Sequence, residues 1–192
     1  MIIKILITLF LSICTIPVFS QSLSEAIAKK DTLAALAFIN GGADVNAVDK
    51  RGSTLLMNAC RWADADIAGF LLRHGADANK PRSAKGRSPL MVACAYYSGQ
   101  TICKMLIDAG ADVNAVAQDG TTALMLAAQN AKLDVVILLI NRGATAKAKN
   151  NAGQTALDFA NKATVDDYLK QSVKDTRLDK DAVIGVLQKA VK

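Results

Sequence analysis

Short amphipathic runs that occur in pairs dominate the pattern of apolar and polar residues along this chain. In one such pair, Leu90, Ala93 and Cys94 share a helical face at spacings of three and four residues. Ser88 precedes them and can cap the helix, and a second, more apolar run ends at Gly110, a residue suited to closing helices. One pair cannot bury both of its apolar faces. The pattern therefore predicts short antiparallel helix pairs that become stable when they stack on neighbours.

The chain also repeats itself at a nearly fixed interval. The segment Gly52–Ala59 reads G-S-T-L-L-M-N-A, and close copies begin 34, 34 and 33 residues apart, at Gly86, Gly120 and Gly153. A second motif, G-A-D-V-N or a variant of it, keeps step with the first and begins at Gly42, Gly75, Gly110 and Gly143. Together the two motifs resemble the ankyrin repeat, whose unit is a β-turn followed by two antiparallel helices. The resemblance covers roughly residues 22 to 170.

The resemblance implies an all-α fold, an ankyrin-repeat solenoid of about five helix-turn-helix units with β-hairpin loops. Residues 21–48 would form an N-terminal capping unit and residues 49–149 three repeats. Residues 150–170 would form a C-terminal capping unit, with Val165–Lys170 as its second helix. Apolar positions at helical spacing in residues 171–192 predict an amphipathic helix that docks on the final repeat.

The N-terminal segment follows a different pattern. Lys4 precedes an apolar run that gives way to small residues ending at Ser20, which predicts a signal peptide over residues 1–20 and a mature chain from Gln21. The run is shorter than the roughly 20 apolar residues that span a bilayer, so we expect no stable membrane span in the mature chain. Cys14 leaves open a lipoprotein, although its flanking residues fit a lipobox poorly. An ankyrin array behind such a leader is typical of an exported bacterial protein and predicts a periplasmic location.

The charge balance bears on the kind of partner. The chain has 23 basic and 17 acidic residues, and Lys4 is the only charged residue of the predicted leader, so the mature chain would carry about +5. A positive surface favours an acidic protein partner, whereas an export compartment makes nucleic acid an unsuitable one. We expect the chain to be a monomer when it is free.

Three cysteines, Cys60, Cys94 and Cys103, would remain in the mature chain. An odd number cannot pair completely within one molecule in an oxidising compartment. Cys60 and Cys94 occupy the same repeat position on stacked helices, whose axes are expected about 8–10 Å apart. Disulfides need Cα atoms about 4.4–6.8 Å apart, so the sequence favours buried free thiols.

The residues offer little for catalysis, and we predict a non-enzymatic protein without cofactor or metal. His74 is the single histidine and follows a predicted helix, where it would act as a cap. No Ser-His-Asp, Cys-His or zinc-ligand spacing accompanies it. Asp44, Asp77 and Asp112 recur inside the G-A-D motif and are interpreted as turn residues.

The fourth position of the family's T-P-L-H motif departs from the pattern. Met57, Met91 and Met125 replace the family's His, which the resemblance implies would tie neighbouring hairpins by hydrogen bonds. Met offers packing alone, so we expect these side chains in the core and fewer polar ties between repeats.

Partners of ankyrin proteins generally bind the concave side, formed by hairpin tips and the first helices. The resemblance therefore implies a protein-binding set at the positions that flank the motif Gly and follow the motif Ala. Trp62 and Tyr96 lie 34 residues apart, in register on adjacent units beside Arg61, a composition typical of binding hot spots. The predicted set is Lys50, Arg51, Ser53, Arg61, Trp62, Lys85, Arg87, Tyr96, Asp119, Thr121, Gln129 and Asn130.

The sequence thus indicates a protein-protein interaction module. Exported bacterial ankyrin proteins that it resembles are associated with restraining periplasmic enzymes and with supporting oxidative-stress enzymes. We expect an inhibitor or immunity protein for a periplasmic enzyme. The alternative is an accessory scaffold that stabilises a partner such as a catalase.

Overall fold

The computed structural model describes residues 22–80, 85–96, 99–162 and 176–192, with the backbone alone for residues 176–179. These residues form ten helices and no extended strand. These residues divide into two compact units, one that ends at Ala43 and one that begins at Asp44. The predicted signal peptide and the predicted helix Val165–Lys170 lie outside the described residues.

The first unit contains one helix pair, α1 (Leu23–Ala28) and α2 (Thr32–Asn40). Each helix begins at a side-chain cap. The Oγ atom of Ser22 accepts a hydrogen bond from the backbone of Glu25, and the carboxylate of Asp31 accepts one from Ala34. The caps satisfy backbone N–H groups that have no partner inside the helix.

The second unit is a two-layered stack of helix pairs. Its helices are α3 (Leu55–Arg61), α4 (Ala65–Arg73), α5 (Pro89–Ala95), α6 (Gln100–Asp108), α7 (Ala123–Gln129), α8 (Leu133–Asn141), α9 (Ala156–Lys162) and α10 (Thr176–Val191). The inner layer consists of α3, α5, α7 and α9, each in contact with the next. The helices α4, α6 and α8 form the outer layer, and each packs on the inner helix of its own pair. The helix pairs predicted from the repeat are confirmed.

Three of the inner helices, α3, α5 and α7, share one starting arrangement. Thr54, Ser88 and Thr122 are their N-caps, and each hydroxyl accepts a hydrogen bond from the N–H three residues on, at 3.2, 3.3 and 3.3 Å. Those N–H groups belong to Met57, Met91 and Met125, whose side chains are buried. The prediction that this row of methionines belongs to the core is therefore confirmed.

An asparagine from each hairpin binds the backbone of the next one. In the first of these ties, Asn46 Nδ2 donates to the carbonyl of Gly75 at 3.0 Å, and its Oδ1 accepts from the N–H of Asp77 at 2.7 Å. Asn79 makes the same pair of bonds to Gly110 and Asp112, and Asn114 makes it to Gly143 and Thr145. We call Asn46, Asn79 and Asn114 the asparagine ladder. The ladder supplies two polar ties at each of these joints. The expectation that methionine in place of the family's histidine makes fewer ties stays a prediction.

The ladder ends where the array changes. The fourth copy of the motif has Lys147 in place of asparagine. In the last unit, α10 packs on both α9 and α8, the two contacts that an outer-layer helix makes elsewhere in the stack. Val183 and Leu187 are buried there, and Lys180 Nζ donates to the carbonyl of Asn161 at 3.2 Å. The helix from residue 176 onward thus makes the contacts of an outer-layer helix.

The motif glycines permit close approach between adjacent hairpins at one position in particular. Gly120 has φ +75°, a left-handed conformation, and a Cβ added there would lie 2.8 Å from the backbone N of Asn151. Gly153 has nearly the same conformation, φ +74°, but no atom of the described residues lies within 4 Å of its added Cβ. Alanine substitutions at the two glycines therefore distinguish two energetic costs. Both substitutions place a side chain on a left-handed backbone, whereas only the one at Gly120 also causes a steric collision with the next hairpin.

We predict that Gly120→Ala destabilises the protein more than Gly153→Ala does. Both variants incur the left-handed penalty of roughly 1–2 kcal/mol, and Gly120→Ala adds a backbone collision worth about another 1–3 kcal/mol. Urea unfolding followed by circular dichroism measures the difference. Equal losses in the two variants would show that the hairpins do not approach as closely as the structure has them.

We also predict that Asn79→Ala lowers the free energy of unfolding by about 1–3 kcal/mol, because two hydrogen bonds between repeats are lost. Lys147→Ala is the matched control, since it changes the same repeat position beyond the end of the ladder and should stay within about 0.5 kcal/mol. Thermal melts of both variants provide the measurement. A neutral Asn79→Ala would mean that packing alone holds the repeats together.

Candidate protein-binding surface

Basic side chains lie on the hairpins between the inner helices. Lys50, Arg51 and Lys85 are exposed, and Arg87 is half-buried. Asp49 shapes the first of these hairpins, because its Oδ1 accepts hydrogen bonds from the backbone N–H of Arg51 at 2.8 Å and of Ser53 at 2.9 Å. The bond from Ser53 is the main reason that the pKa of Asp49 lies below its usual value. The basic residues predicted for the site are therefore presented on an ordered turn.

Two residues of the predicted set are not accessible. Ser53 is 1% exposed and Thr121 is 3% exposed. Each sits directly before a helix cap, and its carbonyl closes the hairpin by accepting a 2.9 Å bond, from Asp49 and Ala117 respectively. The expectation that both face a partner is wrong, because this motif position is enclosed between the hairpin and its helix.

Asp119 is exposed, but it has a structural task. Its Oδ1 accepts a hydrogen bond from the N–H of Thr121 at 2.9 Å, and its carbonyl accepts one from Asn151 at 3.0 Å. Hydrogen bonds from Thr121 are the chief cause that lowers the pKa of Asp119, and the nearby charge of Arg87 adds to it. Asp119 therefore orders the hairpin and partly neutralises the basic surface at Arg87.

The strongest grouping of predicted residues is at the ends of α3 and α5. The guanidinium carbon of Arg61 lies 5.3 Å from the centre of the Tyr96 ring, within the range of a cation–π contact. Trp62 and Tyr96 are the C-cap residues of these adjacent helices and are 61% and 38% exposed. We call Arg61, Trp62 and Tyr96 the aromatic–arginine cluster. It presents a large apolar surface beside a positive charge.

The Tyr96 ring is important for the orientation of Arg61. Within the described residues, the buried Nε and Nη2 atoms of Arg61 have no hydrogen-bond partner. The contact with the ring therefore supplies the orientation that acceptors would otherwise provide. A partner that brings a carboxylate or an aromatic ring to this place meets a guanidinium that is already positioned.

The inner layer extends the surface toward α7. Asn130, the C-cap of α7, donates from Nδ2 to the carbonyl of Leu126 at 2.8 Å and to that of Cys94 at 3.4 Å. It therefore connects the ends of α5 and α7, a structural role that the sequence analysis did not predict for this residue. Gln129 is exposed beside it.

One contributing residue was missed from the sequence. Lys132 Nζ donates to the carbonyl of Ala93 at 3.2 Å and also to the carbonyl of Tyr96, so it holds the end of α5 under the aromatic–arginine cluster. Desolvation lowers the pKa of Lys132. The sequence did contain a signal for this residue. Lys132 is the N-cap of α8, whereas the N-caps of α2 and α4 are Asp31 and Asp64. Because the positive charge of a lysine is unfavourable at a helix N-terminus, its presence there indicates a role other than capping.

Other site types have little support in the part of the chain that the structure describes. No group of three His, Cys, Asp or Glu side chains there is arranged to hold a metal ion. Nor does that part contain a helix of the length and hydropathy needed to cross a membrane. His74 is the C-cap of α4, and its Nδ1 lies 2.8 Å from the carbonyl of Phe70, so the predicted capping role is confirmed.

Comparisons with known proteins find repeats of one family along most of the chain. The model for "Ankyrin repeats (3 copies)" matches residues 23–117, and the model for "Ankyrin repeats (many copies)" matches residues 106–160. A similar protein is the neurogenic locus notch homolog protein 1 of Xenopus tropicalis, 42% identical over 125 residues, which are 64% of this chain and 5% of that protein. The human BCL-6 corepressor-like protein 1 is 33% identical over 125 residues, 65% of this chain and 7% of that protein.

The chain thus matches a small fraction of the length of these relatives, the part that carries repeats of this kind. The family matches, the two motifs in register and the stacked helix pairs agree with one another. This chain belongs to the ankyrin repeat family.

Proposed function

We propose that this chain is a periplasmic protein-binding module that inhibits an exported enzyme, as an inhibitor or immunity protein. Ankyrin repeats indicate a protein-protein interaction module, and the family is generally non-enzymatic. The observation that carries the proposal is the aromatic–arginine cluster, in which an exposed Trp62 lies beside a preoriented Arg61. Exposed Trp, Tyr and Arg side chains held by a rigid scaffold are the residues that most often dominate binding energy.

The surrounding charge supports an acidic partner. Lys50, Arg51 and Lys85 are exposed on hairpins of the same stack, and the whole chain carries a net charge of +6. Such a surface speeds the approach of an acidic protein, and the effect weakens as salt screens the charges. An enzyme with an acidic rim around its substrate cleft fits this surface, and binding there would block the cleft.

The alternative role, an accessory scaffold for a partner such as a catalase, uses the same surface and differs in its effect on the partner. Affinity capture from periplasmic extract, followed by an activity assay of the captured enzyme, separates the two. Inhibition requires that activity falls as the mature chain is added. Unchanged or longer-lived activity would favour the accessory role.

We predict that the mature chain begins at Gln21 in the periplasmic fraction, because the apolar leader is too short to anchor the protein. Cell fractionation and intact-mass measurement check the location and the first residue. Retention of Met1 in the cytoplasm would contradict export. Diacylglycerol on Cys14 would show that the lipoprotein alternative is correct.

We predict that Trp62→Ala weakens partner binding by at least ~2 kcal/mol, about thirtyfold, because truncation removes a large anchoring ring. Ile137→Ala is the matched control, since Ile137 is also an exposed apolar residue but belongs to the outer-layer helix α8. Titration calorimetry with the captured partner gives the affinities, and melting curves check the fold. Unchanged affinity for a folded Trp62→Ala variant would remove the cluster from the binding site.

A further inference from the structure

The C-terminal end of α5 differs from the ends of α1, α3 and α7, the other helices that open a pair. Three residues join each of those helices to the next one, whereas the four residues 96–99 join α5 to α6. The C-cap residues Lys29, Trp62 and Asn130 have ψ −1°, 0° and 13°, but Tyr96, the C-cap of α5, has ψ −168°. The chain therefore leaves Tyr96 in an extended direction and does not turn back over the end of its helix.

The turn that closes the other helices satisfies two carbonyl groups. In α3, Ala63 has a left-handed φ of +58°, and its N–H donates to the carbonyl of Cys60 at 3.3 Å. The N–H of Asp64 donates to the carbonyl of Ala59 at 3.0 Å, and α1 and α7 end with the same pair of bonds. This arrangement is the Schellman motif, which provides partners for carbonyls that have none inside the helix.

The corresponding carbonyls of α5 are those of Ala93 and Cys94, and side chains of the next repeat bind both. Lys132 Nζ donates to the carbonyl of Ala93 at 3.2 Å, and Asn130 Nδ2 donates to that of Cys94 at 3.4 Å. Lys132 also donates to the carbonyl of Tyr96. Both donors belong to the three-residue connection between α7 and α8. Side chains of the following repeat thus bind the carbonyls that other helices satisfy with their own backbone.

We propose that Lys132 and Asn130 are a cap that acts across the repeat boundary and replaces the Schellman motif of α5. An ammonium suits this place, because the carbonyl end of a helix carries a partial negative charge. Lys132 makes no side-chain cap bond to its own helix α8, whereas Asp64 caps α4 by accepting from the N–H of Ile67 at 3.1 Å. The side chain at this repeat position therefore serves the preceding repeat.

The cap also determines the geometry of the aromatic–arginine cluster, and this part of the inference rests on the proposed protein-binding function. The Tyr96 ring contacts Arg61, and the Tyr96 carbonyl is bound by Lys132. When the cap is lost, the last turn of α5 frays, the ring leaves its place and Arg61 loses the contact that orients it. Lys132 is thus a positioning residue that acts on the binding surface through Tyr96.

Amide hydrogen exchange, measured by NMR on the full chain, tests the cap without any partner. Lys132→Met keeps a long side chain but removes the ammonium. We expect the amide of Tyr96, which donates to the carbonyl of Val92 at 3.1 Å, to exchange about tenfold faster. The amide of Trp62 is the internal control, and its exchange should not change because the backbone of α3 closes that helix.

Lys132→Asp separates the proposed role from a local one. Aspartate is the N-cap of α2 and α4, so a purely local role predicts that this variant stabilises α8. The proposal predicts the opposite, because a carboxylate repels the carbonyls at the end of α5. We expect faster exchange at Tyr96 and a melting temperature lower by roughly 5 °C. Lys132→Arg keeps the charge and the donors, and its exchange should remain close to that of the wild type.

A shortened connection should remove the need for the cap. Replacing residues 97–99 with Ala-Asp, the sequence of positions 63 and 64, leaves Tyr96 in place and gives α5 the three-residue connection of α3. In this background Lys132→Met should change the exchange of Tyr96 by less than about twofold. Loss of packing by the lysine stem would not be rescued in this way.

The NMR shifts of the Arg61 side-chain protons report whether the Tyr96 ring still lies over the guanidinium. In Lys132→Met they should move toward their values in Tyr96→Leu, which has no ring. Unchanged exchange and unchanged Arg61 shifts in Lys132→Met, or a higher melting temperature for Lys132→Asp, would overturn the proposal. So would a Lys132→Met chain that folds neither alone nor with the shortened connection. Shifted Arg61 signals with unchanged affinity for the captured partner would support the cap and count against the proposed binding site.

Discussion

Stacking is the constraint on which the second unit depends, because no helix pair in it is large enough to bury its own apolar surface. The inner helices satisfy the apolar part of this requirement with buried residues such as Met57, Met91 and Met125. The polar part falls to the asparagine ladder, whose side chains satisfy a carbonyl and an N–H on the next hairpin. Because each amide makes one bond of each kind, it also fixes the register between repeats. That register brings the ends of α3 and α5 together, so the contact between Arg61 and Tyr96 is a product of stacking.

Much of the second unit could be predicted because its features repeat. A hydroxyl before an apolar run predicted the cap at Ser88, and Thr54 and Thr122 take the same role in the neighbouring repeats. The repeat period placed Arg61 and Trp62 near Tyr96. The errors in the predicted binding set arose where a residue near the hairpin is needed inside the repeat. Ser53 and Thr121 flank the hairpin as exposed residues would, yet burial at the helix entrance decides their place. The asparagine ladder was not predicted, because a sequence does not show which backbone groups on the next hairpin lack a partner.

In the candidate surface, too, the features that follow from the repeat could be predicted, and the contacts between residues far apart in the sequence could not. The aromatic–arginine cluster follows from repeat register and was accessible to sequence reasoning, whereas Lys132 reaches back 36 residues to the carbonyl of Tyr96. The residues around Lys132 in the sequence do not predict that acceptor. The one indication of an unusual role is the unfavourable position of a lysine at a helix N-terminus. The place of α10 in the outer layer also depends on contacts between distant segments. Such contacts depend on the assembled stack. A periodic sequence pattern predicts what the repeats have in common and does not predict the contacts that one repeat alone makes.

The way the asparagine ladder stops has a consequence for how arrays of this type change in length. The joints at Asn46, Asn79 and Asn114 use the same two bonds, so a unit copied between them meets compatible neighbours on both sides. At Lys147 the amide is absent, and α10 forms the outer layer of the last pair. Internal duplication is therefore compatible with this architecture, whereas growth beyond the last unit would require a new joint and the displacement of a helix. The interchangeable joints and the closed end together favour evolution of this array from within.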